Sequence, residues 1–314
     1  MLALTSPTGK LGSATLTSLL THNLIPPSSL TLLTSTSPSS PKLSPFQSQG
    51  LQIRQVDYKN PTPSLFHGIT KLLLISTPEI SLDFHSAPTA QNPGRESVHI
   101  PFLRAAIEGG VKHLFYTSLA FGDVSKSGVM RAHLRTEEFL RGVEDEGDVD
   151  VTVIREGLYS ESWPLYLGYF APGEDERDEI VVGGDGRVCW TSIADLGLGT
   201  AMILSSHAER FRGRRVYLCS GVEGARSLSD VAGLVGRARG RELGVRSVGR
   251  EEYVRYYVEE RGGERPSVEW WSTTYDALED GECLIDDTTL TDLLKERGLK
   301  AKTVKETISE MIGS

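Results

Sequence analysis

Short apolar runs alternate with stretches of helical spacing through the first half of the chain, the pattern of strands and crossover helices in a parallel sheet. The strand-like runs are Leu2–Leu4, Leu30–Thr34, Leu51–Gln55, Lys71–Ser76, His113–Thr117 and Val151–Arg155. Leu72–Ile75 and Leu114–Tyr116 are apolar without alternation, which predicts strands covered on both faces. Lys10–His22, Glu96–Glu108 and Gly128–Arg141 read as helices, with a shorter one near Pro63–Gly68. Pro101 falls inside the second of these, so that helix either starts late or kinks. Ser35–Gly50, rich in Ser and Pro, reads as a surface loop.

The pattern changes near Tyr159, where charge and aromatic content rise. Arg214–Cys219 reads as a strand, and Ser227–Arg239, Glu251–Glu260, Asp286–Arg297 and Val304–Met311 as helices. The expected division is a dinucleotide-type domain over residues 1–158 and a smaller lobe over 159–314. Segments near 188–195 and 214–219 are expected to return to the sheet, so that the two regions interleave.

Composition narrows the class. The 314 residues carry a net charge of −9, which speaks against nucleic acid or an anionic membrane surface as partner. Apolar runs stay far shorter than a membrane span, and no basic-then-apolar leader opens the chain. The three cysteines, Cys189, Cys219 and Cys283, have neither metal spacing nor a disulfide framework. They read as reduced thiols in a cytoplasmic protein.

Candidate chemistry begins at the N-terminus. Thr5 to Gly12, TSPTGKLG, lies between the first strand-like run and the first helix. A glycine turn at that place lets backbone N–H groups and the helix dipole hold a pyrophosphate. Ser6 stands where the first glycine of such a turn is usual, leaving Gly9 and Gly12. Further along come Asp57-Tyr58, Arg95 with His99, VKHLFYTS (Val111 to Ser118), His133 with Thr136-Glu137, and TVIREGLYSE (Thr152 to Glu161).

With these residues, the Ser192–Asp195 region and the helix Leu228 to Gly236, nearly the whole chain resembles the NmrA-like, atypical branch of the short-chain dehydrogenase/reductase superfamily. That branch includes NAD(P)H:quinone reductases and triphenylmethane reductase. The resemblance implies an α/β fold: a Rossmann-type, doubly wound parallel sheet with a smaller, interleaved C-terminal α/β substrate lobe. It implies a nicotinamide cofactor across the strand ends. Thr5, Ser6, Thr8, Gly9, Lys10, Leu11 and Gly12 would line the pyrophosphate, and Thr34 and Ser35, with Thr36, the adenine ribose. Asp57 and Tyr58 would flank the adenine, and Ser76, Thr77 and Pro78 would run beneath the cofactor. Thr117, Ser118, His133, Glu156, Gly157, Leu158 and Tyr159 would complete the site toward the nicotinamide.

Two departures bear on this expectation. Many relatives carry Arg after the second strand, able to clamp a 2′-phosphate; here the place reads Thr34-Ser35-Thr36, with Lys42 the nearest cation and no carboxylate for a free ribose. The hydroxyls favour NADPH, with NADH as the alternative. The other departure is Ser6, whose Cβ would narrow the turn.

Ordinary members of the superfamily place Tyr and Lys one turn apart, so that a phenol donates a proton. Aligned here, the lysine place holds His133 and the tyrosine place Val129, which has no proton to give. His133 and Glu137 share a helix face, either as an imidazole oriented by a carboxylate at the cofactor or as a surface pair. Tyr159 either acts as an acid over the nicotinamide or caps the sheet. Leu119, Trp163 and Tyr166 are the candidate walls for a planar substrate.

These residues predict an oxidoreductase that moves hydride from NADPH to a conjugated small molecule such as a quinone, enone or iminium, with His133 and Tyr159 as candidate catalytic groups. A cofactor-sensing regulator without turnover and a non-redox isomerase or dehydratase on the same scaffold are the competing readings.

Overall fold

The computed structural model describes residues 1–85 and 93–313. Six strands arise in the first half: β1 (Leu2–Thr5), β2 (Leu30–Thr34), β3 (Gln52–Gln55), β4 (Lys71–Leu74), β5 (His113–Leu119) and β6 (Asp150–Glu156). In the second half β7 (Glu179–Val182) lies apart, while β8 (Arg214–Leu218) joins the sheet beside β6. The order β3-β2-β1-β4-β5-β6-β8 is parallel throughout and reverses direction of progress between β1 and β4. At that switch point the crossovers leave in opposite directions and a crevice opens over the strand ends.

Alternate residues of each strand serve opposite layers. On one face Leu2, Leu4, Leu73, Phe115 and Ile154 meet α1 (Lys10–Thr21). On the other Ala3, Leu72, Leu74, Leu114, Tyr116 and Val153 form a second core. After the short α2 (Ser44–Ser48), that second layer is built by α3 (Glu96–Glu108) and α4 (Met130–Glu146). Beyond α5 (Trp163–Tyr166), α6 (Ile193–Ser205) returns to pack beside α1. The two helices meet closely: a Cβ on Gly197 would lie 2.6 Å from Ala14.

After α7 (Ala208–Phe211), the C-terminal lobe gathers α8 (Leu228–Arg239), β9 (Gly244–Ser247), α9 (Arg250–Arg255) and α10 (Arg265–Glu279). β9 pairs with β7, and α11 (Thr289–Glu296) crosses back to the sheet while α12 (Val304–Gly313) packs on α8. The lobe has its own core, rich in aromatic residues from Trp163 to Tyr275.

Several sequence expectations change. Val188–Ser192 does not become a strand of the main sheet. Val188 exchanges backbone hydrogen bonds with Arg226, and Thr191 bridges Tyr159, so these groups are spent on the lobe and the loop. Ser35–Gly50 contains a 3-10 turn at Pro41–Leu43 and the short helix α2. α3 starts at Glu96 in spite of Pro101, whose ring lies on the exposed face. Among the described residues, no helix is long and apolar enough to cross a membrane.

Candidate functional site

The turn from β1 into α1 is tight enough to dictate its residues. Ser6 adopts φ +50°, the left-handed region, and its carbonyl accepts the Gly9 amide at 2.9 Å. A non-glycine residue there costs about 1–2 kcal/mol. Gly12 is required by contact: a Cβ on it would lie 2.1 Å from the Ser6 oxygen. Gly9 is less constrained, with 3.3 Å to the same atom. Gly9 caps α1 without any side-chain hydrogen bond and the first turn holds no acid, so no side chain of α1 itself offsets the positive pole at this end, which borders the crevice.

Neighbouring strands fix this turn in place. The Thr5 hydroxyl donates to Leu73 O (3.2 Å) and accepts the Ile75 amide (2.8 Å), tying the ends of β1 and β4. The Tyr58 hydroxyl donates to Leu33 O at 3.0 Å and accepts the Ser6 amide at 3.4 Å, while its ring stacks on Phe102.

Over the switch point lies a cavity of about 700 Å³, within the range of cofactor sites. Of the residues expected at the cofactor, Ser6, Thr8, Gly9, Lys10, Leu11, Gly12, Thr34, Ser35, Asp57, Tyr58, Ser76, Thr77, Pro78 and Tyr159 line it. Val56, Lys59, Val98 and Phe102 line it too; on sequence they are indistinguishable from ordinary core or surface positions. At the end of β2 the Thr34 hydroxyl accepts the Thr36 amide. Asp57 accepts hydrogen bonds from the Asn60 side chain (2.8 Å) and the Lys59 amide (2.9 Å), which hold its carboxyl below the usual range.

The remaining expected residues lie outside the cavity wall. Thr117 seats the β4 loop by accepting the Ser76 amide, and Ser118 donates to Glu137 at 2.6 Å. The Gly157 amide binds Leu218 O, and the Leu158 carbonyl accepts the Thr191 amide. Leu119 packs against the lobe core. Trp163 is fully buried beside Phe170, and Tyr166 meets Trp190 and Trp271 edge-on. Glu156, 1 % exposed, accepts the Tyr159 hydroxyl at 3.3 Å.

His133 is buried on α4, and its partner is Tyr116. The expected carboxylate, Glu137, is instead taken by Arg155, whose Nε and Nη2 reach its two oxygens at 3.0 and 2.8 Å. Proton positions follow from the network. His99 Nε2 accepts the Thr77 amide at 3.1 Å, so its proton sits on Nδ1 and goes to Thr136, whose own hydroxyl is spent on Ala132 O. The Tyr116 hydroxyl lies between the two rings, 2.9 Å from His133 Nδ1 and 3.3 Å from His99 Nδ1. Arg95, paired with buried Asp83 at 2.6 Å, donates to Ser76 and to Val129 O, joining the β4 loop to the start of α4.

Burial, reinforced by the Arg95 charge, pushes His99 down to about 3 and His133 well below its usual value. Both are neutral in the folded chain but take protons when unfolded below about pH 6.5. Their contribution to stability is therefore complete above that value and is lost as pH falls. Denaturant unfolding should show a drop of about 2 kcal/mol from His99 between pH 7.5 and 5, with a further drop from His133. His99→Asn should remove one such share, making the variant's pH dependence shallower; an unchanged slope would refute the assignment.

The parallel sheet, the crevice at its switch point and the open N-terminus of α1 are those of a Rossmann-type, doubly wound NAD(P)-binding fold with an added C-terminal α/β lobe. Comparison with known proteins places it more narrowly. An NmrA-like family domain-containing oxidoreductase of Aspergillus flavus is 32% identical over 224 residues, 69% of this chain and 66% of that protein. The structure of an NADPH-dependent quinone oxidoreductase of Escherichia coli in complex with NADPH superposes with a TM-score of 0.80, 26% identity and 99% of each chain covered. Triphenylmethane reductase of a Citrobacter species gives 0.80 and 25%, over 100% of this chain and 99% of that one. No family model matches the chain. The chain is thus related, at moderate identity, to the NmrA-like, quinone-oxidoreductase and triphenylmethane-reductase branch of the Rossmann-fold oxidoreductases.

Proposed function

We propose that the chain is an NADPH-dependent reductase that passes hydride to a conjugated small molecule, a quinone, enone or iminium. The carrying observation is the cavity over the switch point, which runs from the uncapped end of α1 to Tyr159. Bound NADPH would supply the hydride; everything else falls to the chain. The first-turn amides of α1, with Lys10, would hold the pyrophosphate, and Thr34 and Ser35 the ribose. Gly12 supports this reading indirectly: a Cβ there would meet the Ser6 carbonyl, so the glycine keeps the turn tight and its amides at the cavity.

The start of α4 carries Val129, so no phenol–ammonium pair stands ready to protonate an isolated carbonyl. Conjugated acceptors demand less, since delocalisation or a cationic nitrogen takes up the incoming electron pair. The enzyme then contributes chiefly proximity and a site shielded from water. Tyr159 lines the cavity and is the nearer proton donor; His133 stands behind Tyr116.

Calorimetric titration with NADPH, NADH and their oxidised forms tests this reading. Micromolar binding of NADPH followed by turnover with a small para-quinone is expected. Binding of both redox forms without turnover would favour a cofactor-sensing regulator, and no binding would sink both. Ser35→Arg, which offers a guanidinium to the 2′-phosphate, should raise the preference for NADPH over NADH on the order of tenfold. No change would mean that the ribose lies elsewhere.

A further inference from the structure

We propose that Glu156 is a proton store for Tyr159: its buried carboxyl returns a proton to the phenol after the phenol has protonated the reduced acceptor. The inference rests on the reductase reading above. Glu156 ends β6 on the face of Ile154, toward the α1 and α6 layer. One of its oxygens accepts the Tyr159 hydroxyl; the other, Oε1, is buried and has no partner among the described residues. Three residues on, the chain has left the sheet and Tyr159 lines the cavity.

The surroundings disfavour the charged form of this carboxyl. Its charged neighbour in sequence, Arg155, points to the opposite face and is spent on Glu137 and Asp123. Around Tyr159 the other titratable groups are Glu161, whose oxygens accept the Ile193 amide, and Tyr166. Among the described residues no cation answers Glu156, and burial pushes its carboxyl well above the ordinary range. Burying an acid with an idle oxygen is costly, and a purely packing role would be filled better by an apolar side chain. A buried carboxyl with an idle oxygen, next to a phenol at the cavity wall, is the arrangement a proton store requires.

The step balances as follows. With a quinone or enone, bound NADPH would supply the hydride and its two electrons, and the electron pair displaced from the acceptor's π system would move onto its oxygen. That oxygen takes the phenolic proton, so the Tyr159 O–H bond breaks and the acceptor O–H bond forms. A turn of the Glu156 carboxyl about its broad terminal torsion then presents the Oε1 proton to the phenolate. The carboxylate left behind is buried without a counter-charge and recovers a proton from water when product leaves.

The test uses the full chain and Glu156→Gln, with Glu156→Met as a second variant should the first fail to fold. Infrared difference spectra, wild type minus variant at pH 7.5 without cofactor, should show the carbonyl band of a protonated acid; carboxylate bands would overturn the proposal. With NADPH and a small para-quinone, the steady-state rate should fall on the order of tenfold or more while the NADPH dissociation constant stays within about twofold. The first turnover should be slowed less than the steady state, because Tyr159 still begins with its own proton. An unchanged steady-state rate in an active enzyme sinks the store and leaves the reductase standing. Failure of the wild type to bind NADPH sinks both.

Discussion

Gly12→Ala is expected to abolish NADPH binding and to lower the unfolding free energy by about 1–3 kcal/mol. The new Cβ would stand 2.1 Å from Ser6 O, 2.9 Å from Ser6 C and 3.2 Å from the Ile75 side chain. Two of these are backbone atoms and cannot swing away. Relief requires α1 to lift from β1, and the Ser6 carbonyl to release the Gly9 amide. The same movement displaces the first-turn amides proposed to bind the pyrophosphate, so affinity and stability should fall together. Gly9→Ala is the internal control. Its Cβ would meet Ser6 O at 3.3 Å, a distance that a shift of a few tenths of an ångström relieves. Calorimetric titration beside urea unfolding of both variants decides the matter. If Gly12→Ala binds NADPH as the wild type does, the pyrophosphate does not sit at this turn.

How legible these features were depends on where their partners lie. The strands around the switch point announce themselves because a parallel sheet buries both faces, so Leu72–Leu74 and Leu114–Tyr116 stay apolar throughout. The β1–α1 turn was legible for a similar reason, since the constraint on Gly12 is local. Helix α6 was not. Leu196 through Leu204 are all buried, which erases the amphipathic stripe, and Gly197 and Gly199 look like breakers although Gly197 is needed against α1. α10 was hidden by its aromatic and hydroxyl residues, buried along most of its length. In the site, helix spacing put Glu137 beside His133 correctly, yet spacing says nothing about a competitor arriving from another element. Arg155, eighteen residues on and on a strand, takes the carboxylate, and Tyr116 takes the imidazole.

That competition makes the Glu137–Arg155 pair a sensitive point where β6 meets α4. Glu137→Ala should destabilise the chain by about 3–5 kcal/mol, because Arg155 is fully buried and a guanidinium cannot shed its charge. Its remaining partners, Phe121 O, the half-exposed Asp123 and the Tyr217 hydroxyl, all lie on Nη1, so Nε and Nη2 lose their acceptors. The mirror variant is not equivalent. Arg155→Met leaves Glu137 with the Ser118 hydroxyl and with Arg215 at 3.9 Å, but a carboxyl can take up a proton. Its penalty should therefore be smaller and should shrink further as pH falls, whereas that of Glu137→Ala should not. Replacing both, Glu137→Leu with Arg155→Met, should recover most of the loss, since two apolar groups carry no stranded charge. Urea unfolding of the three variants at pH 7.5 and 5.5 reads all of this. Equal penalties for the single variants at both pH values would mean that packing around Arg155, and not its charge, holds the ends of β5, β6 and α4 together.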